Sequence, residues 1–302
     1  MNVLSVNNLT KYYGSIRALN NVSFSVPEGS IFGILGPNGS GKTTLLGIIT
    51  DVLLPTSGQF TLFDDPQTPK NELRKKTGTL LETPNFYHYL TAEQNLRITA
   101  EIKGVSLTEI DPVLKRVGLY ERRASKFSTY SLGMKQRLAI GAALLGNPSV
   151  LILDEPTNGL DPEGIAEIRD LIKQLGAEGH TIIMASHLLD EVEKVCNHVA
   201  ILKTGDLLTA GSTDEVLSNE DIVELSADDT DALESAIRNY YPDKKIKRDG
   251  DLISIYFPSN GINTGEINRY CFEQGITLNK LLLKRKSLES MFLELISNPT
   301  NK

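Results

Sequence analysis

The chain has 302 residues, 40% hydrophobic and 23% charged. This suits a globular protein and is too apolar for a disordered one. A formal net charge of −7, from 31 basic and 38 acidic residues, argues against a whole-surface nucleic-acid binder, although a local basic patch escapes such a sum. The length suggests two domains at about 150 residues each, with a core that needs no disulfide or structural metal. Cys196 and Cys271 form no CxxC pair, which fits a reducing cytosol rather than a disulfide framework or zinc site. The opening MNVLSVNNLTKYYG has no apolar signal core. The most apolar stretch, 45–54, is broken by Thr50 and Asp51. It falls short of the roughly 18 residues of a membrane span, so the chain is not expected to cross a bilayer by itself.

In chain order, residues 22–26 alternate as a strand does, and 30–35 (SIFGIL) form a short apolar strand ending in a glycine loop. A helix follows over 43–50. Residues 85–147 turn mostly helical. There 93–103 carries Leu96, Ile98 and Ile102, and a further helix starts at Asp111-Pro112 or nearer Ser106. The runs 149–153 (SVLIL) and 181–184 (TIIM) read as strands buried on both faces. This alternation predicts an α/β sheet. A second unit begins near 218, with a strand at 222–225 and a helical stripe of Ala232, Leu233, Ala236, Ile237 and Tyr240. A hairpin turning at Asp249-Gly250 leads into 252–257, a helix covers 266–273, a strand 276–283 and a last helix 288–296. The order β-α-β-β-α-β-α predicts a small ferredoxin-like α+β sandwich with one extra helix.

Gly36-Pro37-Asn38-Gly39-Ser40-Gly41-Lys42-Thr43, followed by Thr44, matches GxxxxGK[ST] between a predicted strand and a predicted helix. The glycines let backbone N–H groups turn inward. These donors and the helix N-terminus suit phosphate oxygens. Lys42 can reach the β- and γ-phosphates, and the Thr43 hydroxyl can ligate Mg²⁺. The apolar strand ending in Asp154-Glu155 places two carboxylates at the carboxyl edge of the sheet. Asp154 suits Mg²⁺, directly or through water. Glu155 suits orienting or deprotonating an attacking water.

The motifs, in order over roughly 1–217, resemble the ATP-binding cassette family, specifically the motor subunit of an ABC transporter. The resemblance implies a P-loop cassette of 1–217, with a mixed-sheet core and a helical signature subdomain at about 85–147. It implies an accessory or regulatory domain at 218–302. Tyr13, rather than Tyr12, would stack on adenine. Tyr130-Ser131-Leu132-Gly133-Met134 stands where the family has LSGGQ, so Ser131 and Gly133 would touch the γ-phosphate. Asn158-Gly159-Leu160-Asp161 resembles the D-loop, and His187 the switch histidine. Leu132 and Met134 depart from the glycine and glutamine of that signature. Glu82 stands where the family usually has glutamine, and could still ligate Mg²⁺ or accept from water. The stretch 81–87 resembles the glutamate-loop variant of bacitracin-resistance and lantibiotic-immunity transporters.

The function implied is an ATPase that binds ATP and Mg²⁺ between two head-to-tail cassettes, a homodimer being expected. It would drive a separate transmembrane permease, from the cytoplasmic side and peripheral to the membrane, with peptide-antibiotic export or resistance as the implied role. The segment 82–90 would dock the permease, with Phe86, Tyr87 and Tyr89 serving either as contacts or as core. His88, His180 and His198 read as structural or surface residues. Lys284-Arg285-Lys286 reads as a solvated basic cluster, lipid headgroups being the other possibility. No nucleic-acid partner is expected. The alternative, a soluble ABC-type ATPase acting on the ribosome or DNA, fits less well. Translation-type members usually carry two cassettes, and chromosome-type members split one with a coiled coil. No NKxD motif points to a GTPase.

Overall fold

The computed structural model describes residues 1–65, 68, 70–81, 83–217, 220–258, 262–284 and 287–297. The chain divides into two compact units, Met1–Thr213 and Asp214–Lys302.

The first unit opens with strands β1 (Asn2–Tyr13) and β2 (Ile16–Pro27), an antiparallel pair. They extend well beyond the alternation at 22–26, because register shifts along the ladder blur the period-2 pattern. Strand β3 (Ile31–Leu35) is wholly buried and leads through a loop into helix α1 (Lys42–Ile49). Then come β4 (Ser57–Leu62), α2 (Lys70–Lys75) and β5 (Thr77–Leu80). A mostly helical stretch holds α3 (Ala92–Lys103), α4 (Ile110–Arg116) and α5 (Leu132–Leu144). The alternation resumes with β6 (Val150–Asp154), α6 (Pro162–Ala177), β7 (Thr181–Ser186), α7 (Leu189–Val195), β8 (His198–Lys203) and β9 (Asp206–Ser212).

The strands lie in the order β4-β1-β2-β9-β8-β3-β7-β6-β5. From β8 to β5 every neighbouring pair is parallel, while β4, β1 and β2 are antiparallel. The sheet is therefore mixed. Parallel strands covered on both faces need near-continuous apolar side chains, which β3, β6 and β7 have. The antiparallel part meets the rest along a narrow seam, where β2 and β9 share the single ladder pair Asn20–Asp206. Asn20 N also donates to Gly205 O at 2.9 Å, and Asp206 accepts from Asn20 Nδ2 at 2.6 Å and Arg17 Nη2 at 3.2 Å. Beneath this seam one apolar core runs on, from Leu4, Val22 and Phe24 to Phe32, Leu45 and Ile152.

In the helical stretch, Thr91 and Gln94 close a capping box at the start of α3. Asp111-Pro112 does not begin a helix. Ser106 caps a 3₁₀ turn over Leu107–Glu109 that runs straight into α4, so both residues lie inside the helical run. Helix α5 is fixed at both ends. Ser131 Oγ accepts from Met134 N at 3.2 Å, while Lys103 Nζ donates to the carbonyls of Ala142, Ala143 and Leu145. Those three are among the acceptors that a helix end leaves unsatisfied. The ammonium, enclosed among them, is pushed down to about 8 by its desolvation, which the Glu109 carboxylate opposes. Strand β5 passes under α5 so closely that a Cβ on Gly78 would stand 2.2 Å from Ala143 O.

After the short helix α8 (Thr213–Val216), the second unit follows as β10 (Glu220–Ala227), α9 (Thr230–Tyr240), β11 (Lys245–Asp249), β12 (Leu252–Pro258), α10 (Thr264–Glu273), β13 (Leu278–Lys284) and α11 (Leu288–Ser297). Its sheet is antiparallel in the order β11-β12-β10-β13, the ferredoxin-like arrangement. Val223, Leu225, Ile253 and Ile255 pack with Leu233 and Ile237 of α9 and Ile267 of α10. The hairpin turns at Gly250-Asp251 rather than Asp249-Gly250, because Asp249 still pairs with Leu252. Glu224, on the other side of β10, is buried. It accepts from Lys280 Nζ at 2.7 Å and from Lys284 Nζ. Arg285 and Lys286 lie outside the described residues.

Candidate active site

Strands β3, β6 and β7 run parallel, so their carboxyl ends meet at one edge. The loop 36–41 leaves β3 there. Its back is pressed on neighbouring backbone. A Cβ on Gly36 would stand 2.3 Å from Leu202 O, and one on Gly41 (φ +106°) 2.5 Å from Ala18 O. Around Gly39 (φ +81°) nothing stands within 4 Å of such an atom. Pro37, Asn38 and Gly39 are exposed. The loop is thus a concave strip of backbone with one open side. Ser40 is buried, and among the described residues its Oγ has no hydrogen-bond partner. The first turn of α1 follows, with Thr43 exposed and Thr44 half-buried.

Lys42 is 6% exposed. Its Nζ donates to Gly36 O at 2.8 Å and Pro37 O at 3.4 Å, and lies 3.4 Å from Glu155 Oε1. Asp154, the last residue of β6, is buried. Glu155 takes the left-handed conformation, φ +47°, uncommon outside glycine, and its N–H donates to Ala185 O at 3.0 Å. That twist turns the carboxylate toward β7. Glu155 Oε2 lies 2.8 Å from His187 Nδ1. The carboxylate needs a donor there, so Nδ1 carries a proton. Lys42, Glu155 and His187, far apart in sequence, make one continuous chain of polar contacts.

Ser131 is exposed and Gly133 half-buried at the N-terminus of α5. Ser131 Oγ spends an acceptor site on the helix and keeps its O–H free to donate. Asp161 caps α6, its Oδ1 accepting from Gly164 N at 3.0 Å. Among the described residues, no hydrogen bond joins Ser131 or Gly133 to Lys42. Tyr13 and Tyr12 are both 44% exposed. As neighbours on a strand they face opposite ways, and Lys11 Nζ sits 5.0 Å from the Tyr13 ring centroid. Glu82 lies outside the described residues. Thr157 is a group the sequence reading did not single out. It is buried, and its Oγ1 has no hydrogen-bond partner among the described residues. Nothing in its type or spacing signals that.

The aromatic segment divides. Tyr87 and Tyr89 are 52% and 68% exposed. Of the two readings, contact or core, Phe86 falls nearer the second: it is half-buried, with its ring 5.2 Å from that of Phe127. His88 lies against Phe127, and His198 stacks on Phe32. His180 is buried, its Nδ1 2.7 Å from Pro148 O. Cys196 and Cys271 are free and buried, and burial pushes both thiols up.

The chemistry of the site suits a Mg²⁺-bound triphosphate. An open strip of backbone donors, a buried ammonium and an unpartnered Ser40 hydroxyl offer contacts for phosphate. Thr43 and Asp154 carry oxygen atoms of the hard kind that Mg²⁺ prefers. Among the described residues no group of three or more His, Cys, Asp or Glu is placed to hold a metal. Mg²⁺ seldom needs such a cage, because it relies on one or two carboxylates together with phosphates and water.

Fold and site together define a P-loop nucleotide-binding cassette. Comparison with known proteins specifies it further. The family described as ABC transporter matches residues 19–158. The bacitracin transport ATP-binding protein BcrA of Bacillus licheniformis is 38% identical over 304 residues, covering 99% of this chain and 98% of that protein. The lantibiotic transport ATP-binding protein SrtF of Streptococcus pyogenes is 40% identical over 206 residues, covering 68% of this chain and 89% of that protein. Among solved structures, cbiO1 from Clostridium perfringens, part of the ABC transporter complex cbiONQ, superposes with a TM-score of 0.65 at 32% identity. It covers 71% of this chain and 90% of that one. The ATP-binding cassette MJ0796, a dimer in a post-hydrolysis state bound to ADP and Pi, gives 0.62 at 30% identity, covering 70% of this chain and 99% of that one. The chain belongs to the ABC transporter family, as one of its ATP-binding ATPase cassettes. No helix among the described residues is long and apolar enough to cross a membrane.

Proposed function

We propose that this chain is the ATP-driven motor of a transporter for a peptide antibiotic, working as a head-to-tail homodimer against a separate membrane permease. The observation that carries the motor assignment is the contact chain Lys42–Glu155–His187 beside an open phosphate loop. The substrate class rests on similarity to a bacitracin transport protein across 99% of this chain, accessory unit included. The ribosome- or DNA-directed alternative has no comparable support.

In this reading the N–H groups of residues 36–41 and the start of α1 grip the β- and γ-phosphates. Lys42 exchanges Gly36 O, Pro37 O and Glu155 for phosphate oxygens. Thr43 and Asp154, with Glu82, would hold Mg²⁺, whose charge would offset that of the phosphates. Tyr13 stacks on adenine, and Ser40 and Thr44 border the triphosphate. Freed from Lys42, Glu155 Oε1 turns to the attacking water and accepts its proton. His187 steadies the other carboxylate oxygen through Nδ1–H and faces the γ-phosphate with Nε2. Ser131 O–H and the Gly133 N–H of the facing subunit donate to that phosphate, and Asp161 lies at the same junction. ATP favours the closed dimer because it touches both subunits, and cleavage removes that bridge. Tyr87 and Tyr89 would take a permease segment, which places the cassette at the cytoplasmic face of the membrane. Residues 218–302 serve as an accessory regulatory domain.

The test is co-expression with a bacitracin-transporter permease in cells challenged with bacitracin. The expected result is resistance that disappears with Glu155→Gln. Resistance equal in the variant, or absent throughout while other solutes are transported, would refute the motor role or the substrate class respectively.

A further inference from the structure

Leu132 occupies the position where the family signature has glycine, so its side chain is an addition that nothing above has used. It is 46% exposed. The tip of its side chain meets the chain's own D-loop. A Cβ placed on Gly159 (φ +75°) would stand 3.3 Å from Leu132 Cδ2, so the isobutyl group rests on the bare Gly159 backbone. The contact is reciprocal. A Cβ on Gly133 would lie 4.0 Å from Leu160 Cδ2 and 3.9 Å from the Gly164 Cα. The approaches of Leu132 to Gly159 and of Leu160 to Gly133 thus interlock the first turn of α5 with the loop before α6.

That loop begins at Glu155. Asn158 N donates to Glu155 O at 3.1 Å and Leu160 N to Thr157 O at 3.3 Å. Two successive turns therefore tie Gly159 and Leu160 to the backbone that carries Glu155. With glycine at 132, the Leu132 half of the interlock would be absent.

We propose that Leu132 is a positioning residue. Its side chain fastens the signature end of α5 to the D-loop and thereby sets the orientation of this subunit's own Glu155. The inference rests on the proposed role of Glu155 in hydrolysis. It adds that, in this chain, displacement of the signature by the partner's nucleotide is felt at the subunit's own carboxylate.

The experiment uses the full chain with Leu132→Gly, Leu132→Ala and Leu132→Met. Misplacing a catalytic group by an ångström can cost on the order of a hundredfold. A partial loosening should lower kcat about tenfold in the Gly and Ala variants, with KM for ATP held within about twofold. Methionine, which can still reach Gly159, should restore kcat. Amide exchange of 158–161 should quicken in Leu132→Ala while that of β3 is unchanged. The alanine variant keeps the test open should glycine unsettle α5. Wild-type kcat and exchange in Leu132→Ala would overturn the proposal, as would methionine and alanine being equally impaired. An ATP-bound dimer of Glu155→Gln, measured alongside, separates the two failures. Its absence undermines the reading of Glu155, whereas its presence with unaffected Leu132 variants overturns this inference alone.

Discussion

Lys42 is held before any nucleotide arrives. Its ammonium is buried, bonded to two carbonyls and set against Glu155. Removing the side chain deletes the single cation of the phosphate loop. Lys42→Ala is therefore expected to abolish ATP binding or turnover, measured by equilibrium binding of a fluorescent ATP analogue and by phosphate release. Glu155→Gln keeps size and shape but cannot take a proton. Hydrolysis should slow at least about 10²-fold while binding persists. Glu224 gives a pH test at the same scale. Hydrogen bonds from Lys280 and Lys284 hold its carboxyl below the usual carboxylate range, against a smaller desolvation effect. A depressed folded-state value means stability that is present above the unfolded value of about 4.3 and lost as pH falls through the folded one. Glu224→Gln should thus be less stable than wild type near neutrality. The two should converge in acid, as read by chemical denaturation across pH.

Among the elements, those with one dominant physical cause were legible in the sequence. Strands β3, β6 and β7 are short runs that must be apolar on both faces. The loop 36–41 is marked by glycines that the backbone needs at Gly36 and Gly41. Helices α9 and α10 follow their stripes. What stayed hidden depends on partners distant in sequence. Strand β1 carries Asn7, Asn8 and Lys11 along an irregular ladder, so no clean alternation marks it. The start of α4 was obscured because Asp111-Pro112 imitates a cap, while Ser106 does the capping. Phe86 looked like Tyr87 and Tyr89 until Phe127 was placed beside it. The Lys42–Glu155–His187 contacts and the orphan Thr157 hydroxyl have no local signal. The packing of β5 under α5 gives a test at this scale. Gly78→Ala pushes a methyl into Ala143 O, where backbone must move. A loss of about 1–3 kcal/mol is expected, seen as a lowered denaturation midpoint.

For the whole molecule, the proposed cycle is a change of assembly. The Glu155→Gln protein should pass from monomer to dimer when ATP and Mg²⁺ are added, and ADP should not replace ATP. Light scattering after size exclusion would measure this. Lys42→Ala should stay monomeric in both. A wild-type chain that never dimerises under any nucleotide would count against the sandwich and leave the fold untouched.

The narrow junction at Asn20 and Asp206 has a consequence for how the nucleotide leaves. In the proposed reading the antiparallel panel supplies Tyr13 to the base, while the phosphate loop leaves the parallel panel and leans on β2 at Ala18, so base and triphosphate are held from two sides of a crease. Weakening the crease should loosen the ring's stacking long before it disturbs the phosphates. Asp206→Asn should therefore raise KM for ATP and hasten ADP release with kcat nearly constant, and stopped-flow release of a fluorescent ADP would detect the change.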